Sequence, residues 1–325
     1  MNIGGIEIKG HVVLAPMAGI TTLAYREFMK PFGVGLSYSE MVSDCGIDYL
    51  NEKTYAYLES SEEDRPFGLQ LFGFAKENTV KAIGIVENKA EYDILDINLG
   101  CPVNKVTRTG SGSAWLKRPQ ELYDYIRAVV TASHKPVTAK IRLGWDEDSI
   151  NVFEVATLLE KAGVAGVAVH ARTSKQGYTG APDFEKLVGL KEQLSIPLIV
   201  SGNIFSAEDA KKAVELTKAD AVMVARGGVG NPYLITQINH YLDTGELLPS
   251  PDVLAQVDYA EQYAKKLIAL KGEVIAIREL RGILPKFFSG FPGYKKVRLA
   301  LTQNVAGEKS LFRLLEGVRE QNSTP

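Results

Sequence analysis

Cysteine is scarce in this chain, with only Cys45 and Cys101 among 325 residues. Two thiols are too few for a disulfide framework in a chain of this size, which points to a reducing compartment. No CxxC, no HExxH and no His/Cys grouping at ligand spacing occurs, so no bound metal is expected. No apolar run reaches the roughly 18 residues needed to span a bilayer. The opening MNIGGIEIKGH has no cationic head followed by an apolar stretch. A soluble, unexported, cytoplasmic protein without a membrane partner is therefore expected. Net charge is nearly absent too: 37 Lys and Arg against 39 Asp and Glu leave −2. That total neither announces nor excludes a nucleic-acid partner, and charge has to be read by segment. A dinucleotide fingerprint is also missing, because the first strand candidate leads into LAPMAGI, with Pro16 where the nucleotide turn needs glycine.

What is present is apolar and periodic. At 45% hydrophobic and 23% charged residues the chain can bury a large core. Eight short runs read as strands: HVVLAPM, VGLSYSEM, FGLQLFG, YDILDINL, VTAKIRL, GVAVHA, PLIVSGN and ADAVMVAR. Between them KENTVKAIGIVEN, PQELYDYIRAVVTAS, NVFEVATLLEKAG and SAEDAKKAVELTK return apolar residues every three or four positions, which is helical spacing. Ser206 before Glu208 and Asp209, and Pro119 before Glu121, suit helix N-termini. Eight buried-type strands alternating with helices predict an α/β fold, a parallel sheet closed as a (β/α)8 TIM barrel over residues 1–243. After the breaker-rich DTGELLPSPD, helical patterning over 252–321 predicts a small all-helical C-terminal domain. An open doubly wound sheet is the competing reading.

Each strand candidate ends in residues its apolar run does not require: Pro16, Met17 and Ala18; Glu40; Gln70; Asn98; Lys140; His170; Ser201, Gly202 and Asn203; and Ala225 with Arg226. In a barrel those ends share one face, the face that carries chemistry in enzymes of this fold. Convergent Gln, Asn, Lys, His and Arg side chains suit a planar heteroaromatic ligand. SGNI and ARGGVGNP add glycine-rich backbone, helix starts and a guanidinium, a combination that favours a phosphate. A phosphate, a flat ring and a lysine on the fifth strand point to FMN. Lys140 as the Schiff-base lysine of an aldolase is the rival from within the same fold. Cys101, in the Gly-Cys-Pro turn after the fourth strand, is placed to give or take a proton. Cys45 has no cluster around it and reads as structural.

LAPMAGIT, YSEMVS, LQLFG, DINLGCPVNKVTRTGSGSAWL, KIRLGW, VAVHART, and SGNI followed by ARGGVGNP stand in an order and spacing that resemble the tRNA-dihydrouridine synthases over essentially the whole chain. The resemblance implies a flavin-containing barrel with a C-terminal helical domain that reduces the C5–C6 bond of uridines in tRNA, with NADPH as electron donor. It implies that Pro16, Met17 and Ala18 pack along the isoalloxazine of FMN. Gln70 would bond the pyrimidine edge, Lys140 would face N1 and O2, and His170 would touch the ring. Ser201, Gly202, Asn203, Ala225 and Arg226 would hold the phosphate. Cys101 would be the general acid that protonates C5 while hydride reaches C6, and Asn98 and Arg172 would hold the uracil. Two positions depart from the family pattern, which often has Asn-Gly-Asp or Asn-Gly-Gly where Ser201-Gly202-Asn203 stands, and Gly-Arg where Ala225-Arg226 stands.

An RNA partner has separate support. Between Arg278 and Arg298 six basic residues face one acidic residue, and Phe287, Phe288, Phe291 and Tyr294 are interleaved. Lys286, Lys295, Lys296 and Arg298 are the expected phosphate contacts, with helical core the commoner fate for the phenylalanines. A target uridine must leave its stack to reach such a cleft, which suits a flexible tRNA loop. A reductase of a free pyrimidine, or an RNA-binding barrel without catalysis, are the alternatives, and a monomer is expected.

Overall fold

The computed structural model describes residues 1–48 and 52–323. Eight parallel strands, β1 (Val12–Leu14), β2 (Leu36–Tyr38), β3 (Phe67–Phe72), β4 (Ile94–Asn98), β5 (Val137–Arg142), β6 (Gly166–His170), β7 (Leu198–Ser201) and β8 (Ala221–Val224), fall inside the eight apolar runs of the sequence. Each pairs with the next, and β8 returns to β1 in the register Val222 to Val12 and Val224 to Leu14. The sheet is closed, and the architecture is a (β/α)8 barrel with a helical C-terminal region.

The strand period of two sorts the side chains. Val13, Leu36, Ile94, Ala168, Ile199, Ala221 and Met223 form one cluster inside the barrel. Their strand neighbours, among them Val12, Leu69, Leu95, Ala139, Val167, Val200 and Val222, belong to the larger core beneath the helices. Carried to the C-terminal strand ends, the inward parity falls on Gln70, Asn98, Lys140, His170 and Ser201, so these polar side chains converge rather than face the helices. The opposite end is closed by a hairpin that the sequence reading missed, Asn2–Ile3 with Ile6–Glu7, whose Ile3 joins Ile8 in the inner cluster. Two-residue strands are too short for an alternation to register. The same holds for Val42–Ser43, which pairs with Leu71 and Phe72 at the edge of β3.

The four helices read from the sequence form, over Lys76–Lys89, Pro119–Ala132, Val152–Lys161 and Ala207–Thr217. Pro119–Ala132 buries Leu122, Tyr125, Ile126 and Val129 on one stripe. Ser206 accepts from the Asp209 N–H while Asp209 bonds back, a capping box worth about 1 kcal/mol. The C-terminal helices span Val253–Lys271, Glu273–Ile283, Tyr294–Gln303 and Glu308–Asn322. They pack on the helix Leu23–Met29, with Tyr25 edge-on to Tyr263 at 5.7 Å and Phe28 6.1 Å from Phe287. Phe287 and Phe288 are each 1% exposed, so they are core and are not available to stack on bases. Gly230, at φ +81°, lies against the Lys286 and Phe287 backbone so closely that a Cβ would stand 2.5 Å from the Lys286 carbonyl carbon. The loop after β8 is thereby fixed to the helical tail.

Candidate active site

The strand ends enclose a cavity of about 350 Å³, within the roughly 300–1,000 Å³ of small-molecule sites. Pro16, Met17, Ala18, Gln70, Asn98, Cys101, Lys140, His170, Arg172, Ser201, Gly202, Asn203, Ala225 and Arg226 all line it. Lys286 lines a second cleft, which shares Phe205, Arg226 and Gly227 with the first. Lys295, Lys296 and Arg298 are exposed on Tyr294–Gln303 and line neither space. Cys45 is exposed, accepts from the Asn78 amide at 3.4 Å, and stands apart from the cavity; it is not the core residue its reading as structural would make it.

The floor is a connected set of side chains from neighbouring strands. Gln70 donates to Asp96 at 2.6 Å, and Asn98 donates to Gln70 at 2.9 Å. Asn98 in turn accepts from the backbone N–H of Cys101 at 2.9 Å and of Gly100 at 3.2 Å. The Gly-Cys-Pro turn is held from its far side as well, where Ser113 donates to the Cys101 carbonyl through both its N–H and its hydroxyl. Gly112, at φ +59°, leaves only 2.7 Å between an imagined Cβ and that carbonyl oxygen. Glu40 accepts from the Gly19 N–H at 2.5 Å and ties down the loop that carries Pro16, Met17 and Ala18.

One wall is the loop after β6, clamped by two arginines. Arg142 donates to the carbonyls of Gly100, Thr173 and Gly177. Arg172, assigned to the substrate ring by resemblance, is 1% exposed. Its donors are committed to the Thr179 and Gly180 carbonyls, to His170 at 3.1 Å and to Asn203 at 3.1 Å. In the structure Arg172 holds the loop after β6 and two neighbours while lining the cavity. Tyr178, on the clamped loop, is 61% exposed and lies 5.5 Å and 5.3 Å from the Arg142 and Arg226 guanidinium carbons. At the opposite end Gly202 (φ +143°) and Asn203 (φ 46°) turn the backbone into left-handed conformations. Asn203 also accepts from Arg226 at 3.2 Å.

Known proteins place this geometry. A family model described as dihydrouridine synthase matches residues 13–322. The chain belongs to the dihydrouridine synthase family, a family of oxidoreductases. A probable tRNA-dihydrouridine synthase of Rickettsia bellii is 34% identical over 93% of this chain and 92% of its own length. tRNA-dihydrouridine synthase B of Pasteurella multocida is 33% identical over 99% and 98%. In fold the chain resembles an old yellow enzyme homologue from Zymomonas mobilis, with a TM-score of 0.54 and 15% identity over 76% of this chain and 92% of that one.

The electrostatics of this dihydrouridine synthase site are one-sided. Its lining holds Lys140, Arg142, Arg172 and Arg226 and no carboxylate, so it favours anions. His170 is lowered to about 2, by burial first and then by Lys140, Arg142, Arg172 and Arg226, and is a neutral imidazole. Burial lowers Lys140 to about 8, with Arg142 in the same sense and Asp96 and Cys101 opposing. Burial raises the Cys101 thiol, while the Val103 N–H, Arg142 and Lys140 pull it down. It keeps its proton at neutral pH, with cations at hand for the thiolate that loss of that proton would leave. Asp96, Arg142 and Tyr178 are the site residues that the sequence reading passed over. Asp96 shares inward parity with Asn98, and Arg142 with Lys140, so strand alternation was the signal available for both. Tyr178 sits in an irregular loop and gave none.

Proposed function

We propose that this chain reduces the C5–C6 double bond of uridine in tRNA to 5,6-dihydrouridine, with FMN held in the barrel mouth and NADPH as the source of electrons. The observation that carries this reading is a half-buried thiol in the same cavity as a lysine, two amides and a phosphate-type cradle. The names borne by the relatives of similar length agree with it. The donor set suits FMN. Gln70 and Lys140 offer amide and ammonium groups to a heteroaromatic edge. Gly202, Asn203 and Arg226 offer backbone and guanidinium to a phosphate, beside Gly227, where a Cβ would come within 2.1 Å of the Ile204 oxygen. Bound there, FMN would supply the hydride to uracil C6.

The chain's own residues supply the rest. Hydride addition at C6 develops negative charge toward C5, and a proton at C5 quenches it. Cys101 delivers that proton, and Lys140 and Arg142 stabilise the thiolate until solvent restores it. The Asn98 amide lies between Gln70 and the Cys101 turn, placed to hold the uracil edge. Lys286 in the adjoining cleft and the exposed Lys295, Lys296 and Arg298 would meet tRNA phosphates. One member of the basic stretch is committed otherwise, since Arg281 donates to the Val305 carbonyl. Purified protein with NADPH should form dihydrouridine in transcript tRNA and consume no free uracil. Reduction of free uracil at the faster rate, or active protein without flavin, would overturn the reading.

A further inference from the structure

Asp96 has no contact with the cavity that the chemistry requires, yet it anchors the floor. It is 1% exposed and accepts two short bonds, from Gln70 Nε2 at 2.6 Å and from Thr138 Oγ1 at 2.6 Å. An ionised carboxylate only accepts, and a backbone N–H only donates. Between those two ends stand two side-chain amides, each of which could otherwise face either way. Because Asp96 takes Nε2 of Gln70, Oε1 of Gln70 must face Asn98. Because that oxygen takes Nδ2 of Asn98, Oδ1 of Asn98 must face the Gly100 and Cys101 N–H groups. The backbone N–H groups and the carboxylate thus agree on one sense for the whole chain, and Asp96 holds it at the buried end.

We propose that Asp96 is a positioning residue for the thiol: its carboxylate sets the one hydrogen-bonding sense in which Gln70 and Asn98 pin the Gly100-Cys101 turn and aim Cys101 into the cavity. The inference rests on Cys101 being the acid. Reversing Asn98 would set two donors against each other at the Cys101 N–H and release the turn, and reversing Gln70 would set its amide donors against those of Asn98. Small misplacements of a reacting group are costly, with about 1 Å able to cost 10²-fold. The carboxylate also faces Lys140 on β5, and Tyr38 on β2 through Thr138 at 3.2 Å. Burial raises Asp96 to about 6, against hydrogen bonds from Gln70 and Thr138 and the charge of Lys140, so the anchor is charged at pH 8.

The test compares Asp96→Asn with Thr138→Val in the protein as purified. Thr138→Val removes the other bond to the carboxylate while leaving the amide chain intact. Asp96→Asn should raise hydrogen exchange at the Gly100 and Cys101 amides about tenfold and slow oxidation of the pre-reduced protein by tRNA about 10- to 100-fold. Thr138→Val should leave both quantities near wild type. With Asn98→Ala the effects must be non-additive, because both substitutions cut one chain. If Asp96→Asn does not fold, the wild type carries the test. Its exchange at Gly100 and Cys101, corrected for intrinsic pH dependence, must rise from pH 8 to pH 5 as the carboxylate takes a proton. Unchanged exchange, equal effects of the two variants, or additivity with Asn98→Ala overturns the proposal. If Cys101→Ala itself leaves oxidation by tRNA unchanged, the reading of the acid fails, and that outcome is separate from the exchange result.

Discussion

Lys140 offers a direct measure of how this cavity treats charge. Its ammonium sits among Arg142 and apolar barrel residues and is lowered from 10.5 to about 8, chiefly by burial. A group whose folded-state pKa lies below its unfolded one releases its proton earlier in the folded protein, so stability rises with pH between the two values. At about 1.4 kcal/mol per pH unit, the interval from 10.5 to about 8 corresponds to about 3 kcal/mol. Some 2 kcal/mol of that, roughly, is realised between pH 7 and pH 9.5. Water in the open cavity makes these upper limits. Lys140→Met removes the titration. Urea unfolding of flavin-free wild type and variant at both pH values reads it, together with the shifts that Lys140 imposes on Cys101 and Asp96. The wild type should gain up to about 2 kcal/mol relative to the variant on going to pH 9.5. Parallel pH dependences would refute the buried charge, and with it the view that Lys140 holds an electrostatic store to be spent on an anionic ligand.

Cys101→Ala should keep its flavin and accept electrons from NADPH near the wild-type rate, while oxidation by tRNA falls about 10²–10⁴-fold; single-turnover absorbance of the flavin reads both halves. Arg226→Ala should raise the FMN dissociation constant by roughly tenfold or more, through the loss of a charge-assisted phosphate contact, and fluorescence titration checks it. Replacing Lys286, Lys295, Lys296 and Arg298 with Glu should flatten the dependence of tRNA binding on salt and raise KM, leaving flavin content alone. An unchanged slope in a stably folded variant would move the RNA surface elsewhere, to Lys105, Arg108 and Lys117 around the Cys101 loop.

The parts that could be read from the sequence share a physical cause. Strands buried on both faces must be continuous apolar runs, so any polar residue within one stands out, and Gln70, Asn98, Lys140 and His170 did. All four line the cavity. The same logic, taken one step further, reaches Asp96 and Arg142. A charged side chain in a buried strand cannot face the helices without losing its partners, so it must take the inward parity, where the mouth of the barrel supplies them. Taking one polar residue from each of these strands hid both. Arg172 shows the converse. Family resemblance, not the strand pattern, put it beside a ligand, and its guanidinium lines the cavity while already donating to the Thr179 and Gly180 carbonyls. Phe287 and Phe288 are buried, as helical core, and packing against Tyr263 and Phe28 decides the place of Phe287 before any base arrives. What sequence order could not carry is which donors the fold has already spent. That accounting separates residues that touch a ligand from residues, such as Asp96, that decide how the touching ones point.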